Sequence, residues 1–396
     1  MSAPGGNAGR IPAVQARMGF GRRALLAAGG VLLAAACGPV GNEALWRELP
    51  GSPLGPRQAA LGLWTGSEVL LIGGSDDATC PPTADCPVDP TPLADGAAVD
   101  PATGRWRRLA DAPEPLLGAR GVVAGTAAYV LPAGHRDAPP SGLLVYRIDR
   151  DAWQRIRVPF DPRAPYELVA AGDRLVAYLA TDEAAAGRDY ILDPRTSTWT
   201  ALPADPLGAA FERTMCWSGR KLLLFDHELT PNPGAEKPSL TRVAALDLTG
   251  RSWRRLPDAP MLGTGPWLVA GDKLVNPTLG GADGGQVGNW GRTYPYGGMV
   301  VPATGQWSAL PDPPGGESAG AYSGASAVYL AATGAVLDIT TGSWQRVPTL
   351  PGGPPAEPTV VAAGARMLVF GGAHWDRAQT KGTLSNTARV WSPDRS

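Results

Sequence analysis

The sequence predicts an all-β protein assembled from seven repeats of a four-stranded antiparallel unit. Three observations carry that expectation. A phrase ending in Trp recurs along the chain, a glycine-centred turn recurs upstream of it, and the last copy lacks a strand that the N-terminal region can supply. Length alone, at 396 residues, would suggest two or three domains, but an internal repeat overrides that prior.

The Trp phrase runs through two or three apolar residues, often an Asp, then a turn and the Trp. Complete copies occupy residues 99–106, 148–153, 192–199, 246–253, 301–307 and 337–344. Each reads as a hairpin, because the Asp, Thr and Gly of the turn supply local hydrogen bonds and positive φ between two β-rich runs. Upstream lies a second hairpin, as in residues 61–74, whose turn sits at Gly66 and recurs at Gly125, Gly172, Gly219, Gly271, Gly324 and Gly364. Four short strands per roughly 50 residues, repeated in phase, are the signature of a β-propeller.

Closure is legible too. The last copy stops at residues 388–396, a third strand with no Trp strand after it, whereas Leu45-Trp46-Arg47-Glu48-Leu49-Pro50 has the fourth-strand pattern with no third strand before it. The N-terminal strand should therefore close the seventh blade and remove the exposed edges. Trp391 falls at the place of Val99, a core position. The blades are expected at approximately 47–106, 107–153, 154–199, 200–253, 254–307, 308–344 and 345–396, the last joined by 40–46.

The double glycine after the second strand (Gly73-Gly74, Gly371-Gly372), together with the later Trp, resembles the kelch repeat, and the likeness covers residues 40–396. That resemblance implies a galactose oxidase/kelch-like propeller. Galactose oxidases hold copper with two Tyr, two His and a Cys-crosslinked Tyr. The matching positions do not supply this set, since Tyr294 and Tyr296 share one loop without a paired His and Cys. Copper oxidation is disfavoured and no cofactor is expected. Periplasmic kelch propellers that resemble this chain include sialic-acid mutarotases, which have six blades and need only a general acid and base at the channel mouth.

Residues 1–36 read as an address. They hold four arginines (Arg10, Arg17, Arg22, Arg23) and no acid, and end in the apolar run 24–36. The run is too short to span a bilayer, so the segment is a secretory signal rather than a membrane helix. Its end, Leu33-Ala34-Ala35-Ala36-Cys37-Gly38, resembles the bacterial lipobox, although Ala34 stands where Leu is usual. Lipidation of Cys37 would tether the protein to the outer face of the cytoplasmic membrane, and plain cleavage after Ala36 would leave it secreted. Arg22-Arg23 also resembles a twin-arginine signal, and either export route stays open. In an oxidising compartment Cys80 and Cys86 are expected to pair, while Cys216, in an apolar strand-like run, should be a buried free thiol.

Composition sets limits on function. With 35 Lys plus Arg against 36 Asp plus Glu the net charge is −1, which leaves no basic footprint for nucleic acid. Without residues 1–36, 31 basic residues face 36 acidic ones, a net of −5. Hydrophobic residues at 44% allow a large core, and 52 Gly, 41 Pro and 13 Trp suit a turn-dense, aromatic-anchored chain. No Gly-x-Ser-x-Gly elbow, His-Glu-x-x-His helix, phosphate loop or dinucleotide fingerprint is present.

The candidate site is the face on which the loops between second and third strands lie. Those loops are long at 75–96, 226–241, 280–297 and 373–386. They hold Asp226, His227 and Glu228; Asn289, Trp290, Arg292, Tyr294 and Tyr296; and His374, Trp375, Asp376 and Arg377. Seven residues before each first turn glycine stand Ala59, Gly118, Pro165, Glu212, Thr264, Glu317 and Glu357; two residues further, on the same side of a strand, stand Arg120 and Glu167. These five charges are expected to rim the channel as an acidic pocket with Arg120 as its counter-ion. Together with Trp290, Trp375 and Asp376 they form the expected ligand-binding set, and no catalytic residue is assigned. His135, His227 and His374 all fall where a second strand ends, but on blades spread around the ring, so no metal triad is expected. The protein is read as a monomeric, non-catalytic propeller that binds a glycan or a protein and meets the membrane only through its lipid. The alternative is an enzyme of mutarotase type working with Glu212, Glu317, Glu357 and Arg120.

Overall fold

A computed structural model describes residues 46–77, 90–133, 142–180, 187–230, 236–276, 290–310, 321–323, 327–330, 335–339, 341–348, 350–364 and 366–392. The chain is an all-β propeller of small antiparallel sheets. Six sheets are each built from four consecutive strands. The first comprises Leu61–Trp64, Val69–Ile72, Gly96–Val99 and Trp106–Leu109; the second Arg120–Ala124, Ala127–Leu131, Leu143–Arg147 and Ala152–Ile156. The third is Tyr166–Ala171, Arg174–Leu179, Tyr190–Asp193 and Thr198–Ala201, and the fourth Ala210–Trp217, Leu222–Glu228, Arg242–Asp247 and Ser252–Leu256. The fifth is Leu268–Ala270, Lys273–Asn276, Gly298–Val301 and Gln306–Ala309, and the sixth Ala321–Ser323, Ala327–Leu330, Ala335–Asp338 and Ser343–Arg346.

A seventh four-stranded sheet is a composite of the two chain ends. Thr359–Ala363, Arg366–Phe370 and Ala388–Trp391 are completed by Trp46–Glu48. Trp46 faces Trp391 across this seam, just as Trp106 faces Val99 and Trp253 faces Leu246. Trp391 thus occupies the apolar third-strand place rather than the place of a repeat Trp.

The core lies between neighbouring sheets, which is why the middle strands are apolar throughout. In the first sheet Val69–Ile72 and Gly96–Val99 are buried at every position. Side chains alternate along a strand, so Val69 and Leu71 pack with Leu368 and Phe370 of the seventh sheet, while Leu70 and Ile72 pack with Val130 and Leu144 of the second. The outer strands are exposed except at their ends, as in Ser252–Leu256, where Leu256 alone is buried. First strands line the inside. Leu61–Trp64 packs on both Arg120–Ala124 and Thr359–Ala363, and Ala321–Ser323 packs on Leu268–Ala270 and on Thr359–Ala363.

Two devices join the sheets. The double glycines end their second strands in the left-handed region (φ 67° and 89° at Gly73 and Gly74, 67° and 88° at Gly371 and Gly372). There Gly74 N–H donates to the Leu116 carbonyl and Gly372 N–H to that of Arg57, both at 2.8 Å. A Cβ on Gly73 would collide with the Leu116 carbonyl and one on Gly371 with the Arg57 carbonyl. The pair therefore lets a strand end directly against the link into the next sheet.

The second device is a belt of indoles. Trp46 donates through Nε1 to the Pro348 carbonyl (2.8 Å), Trp106 to Pro50 (2.8 Å), Trp153 to Ala110 (2.8 Å), Trp199 to Arg157 (3.0 Å) and Trp253 to Pro203 (2.9 Å). Each acceptor follows the outer strand of the preceding sheet, so every bond ties one sheet to its neighbour. Trp307, at the same place in the fifth sheet, breaks the series: its Nε1 is buried with no hydrogen-bond partner among the described residues.

Three sequence expectations change in detail. Asp226, His227 and Glu228 are not loop residues, because the second strand of the fourth sheet runs through them, Asp226 pairing in register with Arg242. Residues 373–386 include an extra two-stranded hairpin, Ala373–Trp375 with Gly382–Leu384. The outer strands run on past the repeat Trp residues at which the approximate blade limits were set, as where Trp106 leads a strand that continues to Leu109. Cys216 is buried and free, as expected, and burial pushes its thiol up. Cys37, Cys80 and Cys86 lie outside the described residues. No helix among the described residues is long and apolar enough to cross a membrane.

Candidate functional site

One face of the propeller collects the starts of the first strands, the ends of the second, the starts of the third and the links between sheets. Antiparallel pairing dictates this: Arg120 at a first-strand start pairs with Leu131 at a second-strand end, and Asp226 pairs with Arg242. The position singled out by aligning the repeats is a recurrent backbone feature. Ala59 (φ 52°), Gly118 (63°), Glu212 (51°) and Glu357 (50°) are all left-handed, which for a non-glycine residue costs about 1 kcal/mol or more. The kink closes ring contacts, since Ala59 N–H donates to the Glu357 carbonyl at 2.9 Å. Beside it, Thr359 Oγ1 donates to the Ala60 carbonyl at 2.7 Å. A cavity of about 290 Å³ opens here between the seventh, first and second sheets, lined in part by Ala59, Gly62, Gly118, Pro358 and Thr359.

The charges at this mouth are cross-tied. Arg120 Nε lies 3.1 Å from Glu167 Oε1 and its Nη1 donates to the Tyr166 carbonyl at 2.8 Å, so one guanidinium spans the inner strands of the second and third sheets. Burial pushes the Glu167 carboxyl up, and Arg120 opposes the shift. Glu212, exposed, has Oε2 3.1 Å from Nδ1 of the buried His227, although neither imidazole nitrogen has a hydrogen-bond partner among the described residues. Glu357 is exposed. Glu317 lies outside the described residues.

Beneath the rim lies a set of buried and half-buried ion pairs that the sequence reading missed. Arg57, 3% exposed, binds both carboxylate oxygens of Asp95, at 2.6 and 2.9 Å. Arg213 reaches Asp189 at 2.9 Å and Asp205 at 3.2 Å, bridging the third sheet to the fourth. Arg242 Nε donates to Asp226 Oδ1 at 2.8 Å; Asp226 is wholly buried and its Oδ2 has no hydrogen-bond partner among the described residues. Burial pushes the Asp226 carboxyl up to about 6, with Arg242 acting in the opposite direction. Asp95, by contrast, is held below the usual carboxylate range by Arg57. A signal for these groups existed: Asp95, Asp189 and Arg242 each stand at or just before the start of a third strand.

The aromatic candidates sit on their own small elements. Trp290 opens the 3-10 turn Trp290–Arg292, and its carbonyl accepts the N–H groups of Thr293 and Tyr294. Trp375 ends the first strand of the extra hairpin, half-buried, with its indole nitrogen buried and without a hydrogen-bond partner among the described residues. Asp376 forms the hairpin turn: it accepts the Thr380 N–H at 2.7 Å and hydroxyl at 2.8 Å, bonds that hold its carboxyl below the usual range.

Of the singled-out charges, the structure thus brings Arg120 to Glu167 and gives Glu212 a different neighbour. Among the described residues no three His, Cys, Asp or Glu side chains could together hold a metal ion; His227 lies in the fourth sheet and His374 in the extra hairpin, with His135 outside the described residues. No protein-family model matches the chain, and no curated protein matches it.

Proposed function

We propose that the protein is an exported, seven-bladed kelch-type propeller, tethered to the outer face of the cytoplasmic membrane through Cys37, that binds a protein partner through its long-loop face and performs no chemistry of its own. The observation that favours binding over catalysis is the fate of the mouth charges. A mutarotase needs an acid and a base free to exchange protons with a sugar, whereas Arg120 is committed to Glu167 and to a backbone carbonyl and Glu212 stands beside His227, which among the described residues leaves Glu357 as a single exposed carboxylate with no base paired to it. What the face offers instead is Trp375, half-buried on the extra hairpin whose turn Asp376 braces. A braced aromatic is the kind of group that anchors protein interfaces.

The test pairs a glycan array and an anomer-equilibration assay on purified protein with a photocrosslinking side chain placed at Arg377 in cells. The expected result is no glycan binding, no rate enhancement and a discrete protein adduct that Trp375→Ala abolishes. Rate enhancement that falls with Glu357→Gln would overturn the reading in favour of the sugar enzyme, and glycan binding without rate enhancement would replace the protein partner with a sugar. The tether is tested separately: Cys37→Ser should move the protein from the membrane to the soluble fraction.

A further inference from the structure

The two faces of the propeller differ in how the chain reaches them. First and third strands run toward the face opposite the long loops, and second and fourth strands run away from it, so the first-to-second and third-to-fourth turns all lie there. In the composite sheet Trp46 pairs with Trp391 as Trp106 pairs with Val99, which puts Trp46 where a third-to-fourth turn would end. The chain therefore enters the seventh sheet from the turn face. Arg47 pins this entry, its Nη2 donating to the carbonyls of Pro101 and Ala102 in a turn of the first sheet on the same face.

Distance decides what a tether at Cys37 can do. Eight residues separate Cys37 from Trp46. Nine steps of about 3.3–3.6 Å reach at most about 30 Å, and a flexible chain of that length spans about 17 Å on average. The depth of the domain is set by its strands. Leu222–Glu228 has seven residues, which at about 3.3 Å per step is about 20 Å before links and loops are added. An anchor beside the long-loop face would hold the linker near full stretch along the outside of the seventh sheet, at a cost in conformational entropy, whereas an anchor beside the turn face leaves it relaxed.

Charge does not compete with this geometry. Opposite signs alternate on the turn face, as in Asp149-Arg150-Asp151, Asp173-Arg174 and Asp272-Lys273, and Arg195 Nη2 lies 3.0 Å from Asp173 Oδ2. Anionic lipid neither draws nor repels such a surface strongly.

We propose that the turn face is the surface this protein turns to the lipid bilayer, and that the long-loop face points away from it. The inference rests on the lipid-tether part of the reading above and gives the partner a direction of approach. A protein that meets Trp375 and Arg377 must carry a part standing about 20 Å or more above the lipid, which excludes a partner sunk wholly in the bilayer.

The experiment uses the full lipidated chain in vesicles of phosphatidylethanolamine and phosphatidylglycerol that contain a rhodamine-labelled lipid. A donor dye is clicked to a non-natural side chain at Ser67 or Arg220, exposed on the turn face, or at Arg163 or Arg377, exposed on the long-loop face. Energy transfer to the lipid should be about twofold stronger from both turn-face sites, since about 20 Å of strand separates the faces. Inserting about twenty Gly-Ser residues after Val40 extends the relaxed span beyond the depth of the domain and should erase the difference. Equal transfer from all four sites, stronger transfer from Arg163 and Arg377, or a difference that survives the insertion overturns the proposal while leaving the tether standing. Wild type that carries no lipid by mass spectrometry removes the tether, and this orientation with it, without touching the partner-binding reading.

Discussion

The outer belt and the inner rim of this propeller are built on opposite plans. Around the outside, Trp46, Trp106, Trp153, Trp199 and Trp253 make the same bond to the same place on the neighbouring sheet. Around the inner face the described ion pairs differ: Arg57 meets Asp95, Arg120 meets Glu167, and Arg213 meets two aspartates. Uniform bonds serve a structure that only has to repeat, whereas the ion pairs tie individual strands to particular neighbours. They also determine which charges remain available to a ligand.

Removing residues 46–50 should be the severest break, because it deletes the seam strand with the buried Trp46 and Leu49 and bares an edge. A loss of more than about 5 kcal/mol in urea unfolding, with aggregation, is expected. Retention of a cooperative, wild-type transition would show that the belt does not depend on its seam. Next comes Arg242→Ala on the rim, which strands the buried Asp226 charge and should cost about 3–5 kcal/mol.

The same Asp226 gives a pH test of the rim. Its carboxyl titrates at about 6 in the folded protein against a usual 3.8, so the folded state holds the proton more tightly than the unfolded one. Its contribution is complete below the unfolded value and is lost as pH rises through 6, on the order of 2 kcal/mol. Stability of wild type relative to Asp226→Asn, measured by urea unfolding from pH 4 to 7, should therefore fall with rising pH. The smallest effect returns to the belt. Trp153→Phe should cost about 1 kcal/mol more than Trp307→Phe, since only the former loses an indole hydrogen bond; equal costs would mean that the belt bonds contribute nothing.

The belt was legible in the sequence and the rim was not, for a physical reason. Trp and turn residues recur in phase, so their period shows directly, and the seam could be read because residues 388–396 and 45–50 are complementary halves of one repeat. The rim pairs join positions such as Arg57 and Asp95, or Arg213 and Asp189, that are far apart in sequence and differ from sheet to sheet. Aligning the repeats did locate Glu212 and Glu357, yet what the position shares is a left-handed backbone that it also imposes on Ala59 and Gly118. The alignment found a kink and read it as a charge.

The pairing of Trp46 with Trp391 also imposes an order in time. A ribosome releases the first of these residues long before the second, so a nascent chain carries an unmatched indole and an open strand edge until its final segment emerges. Closure of the ring is therefore the last event of folding, whatever order the other sheets form in.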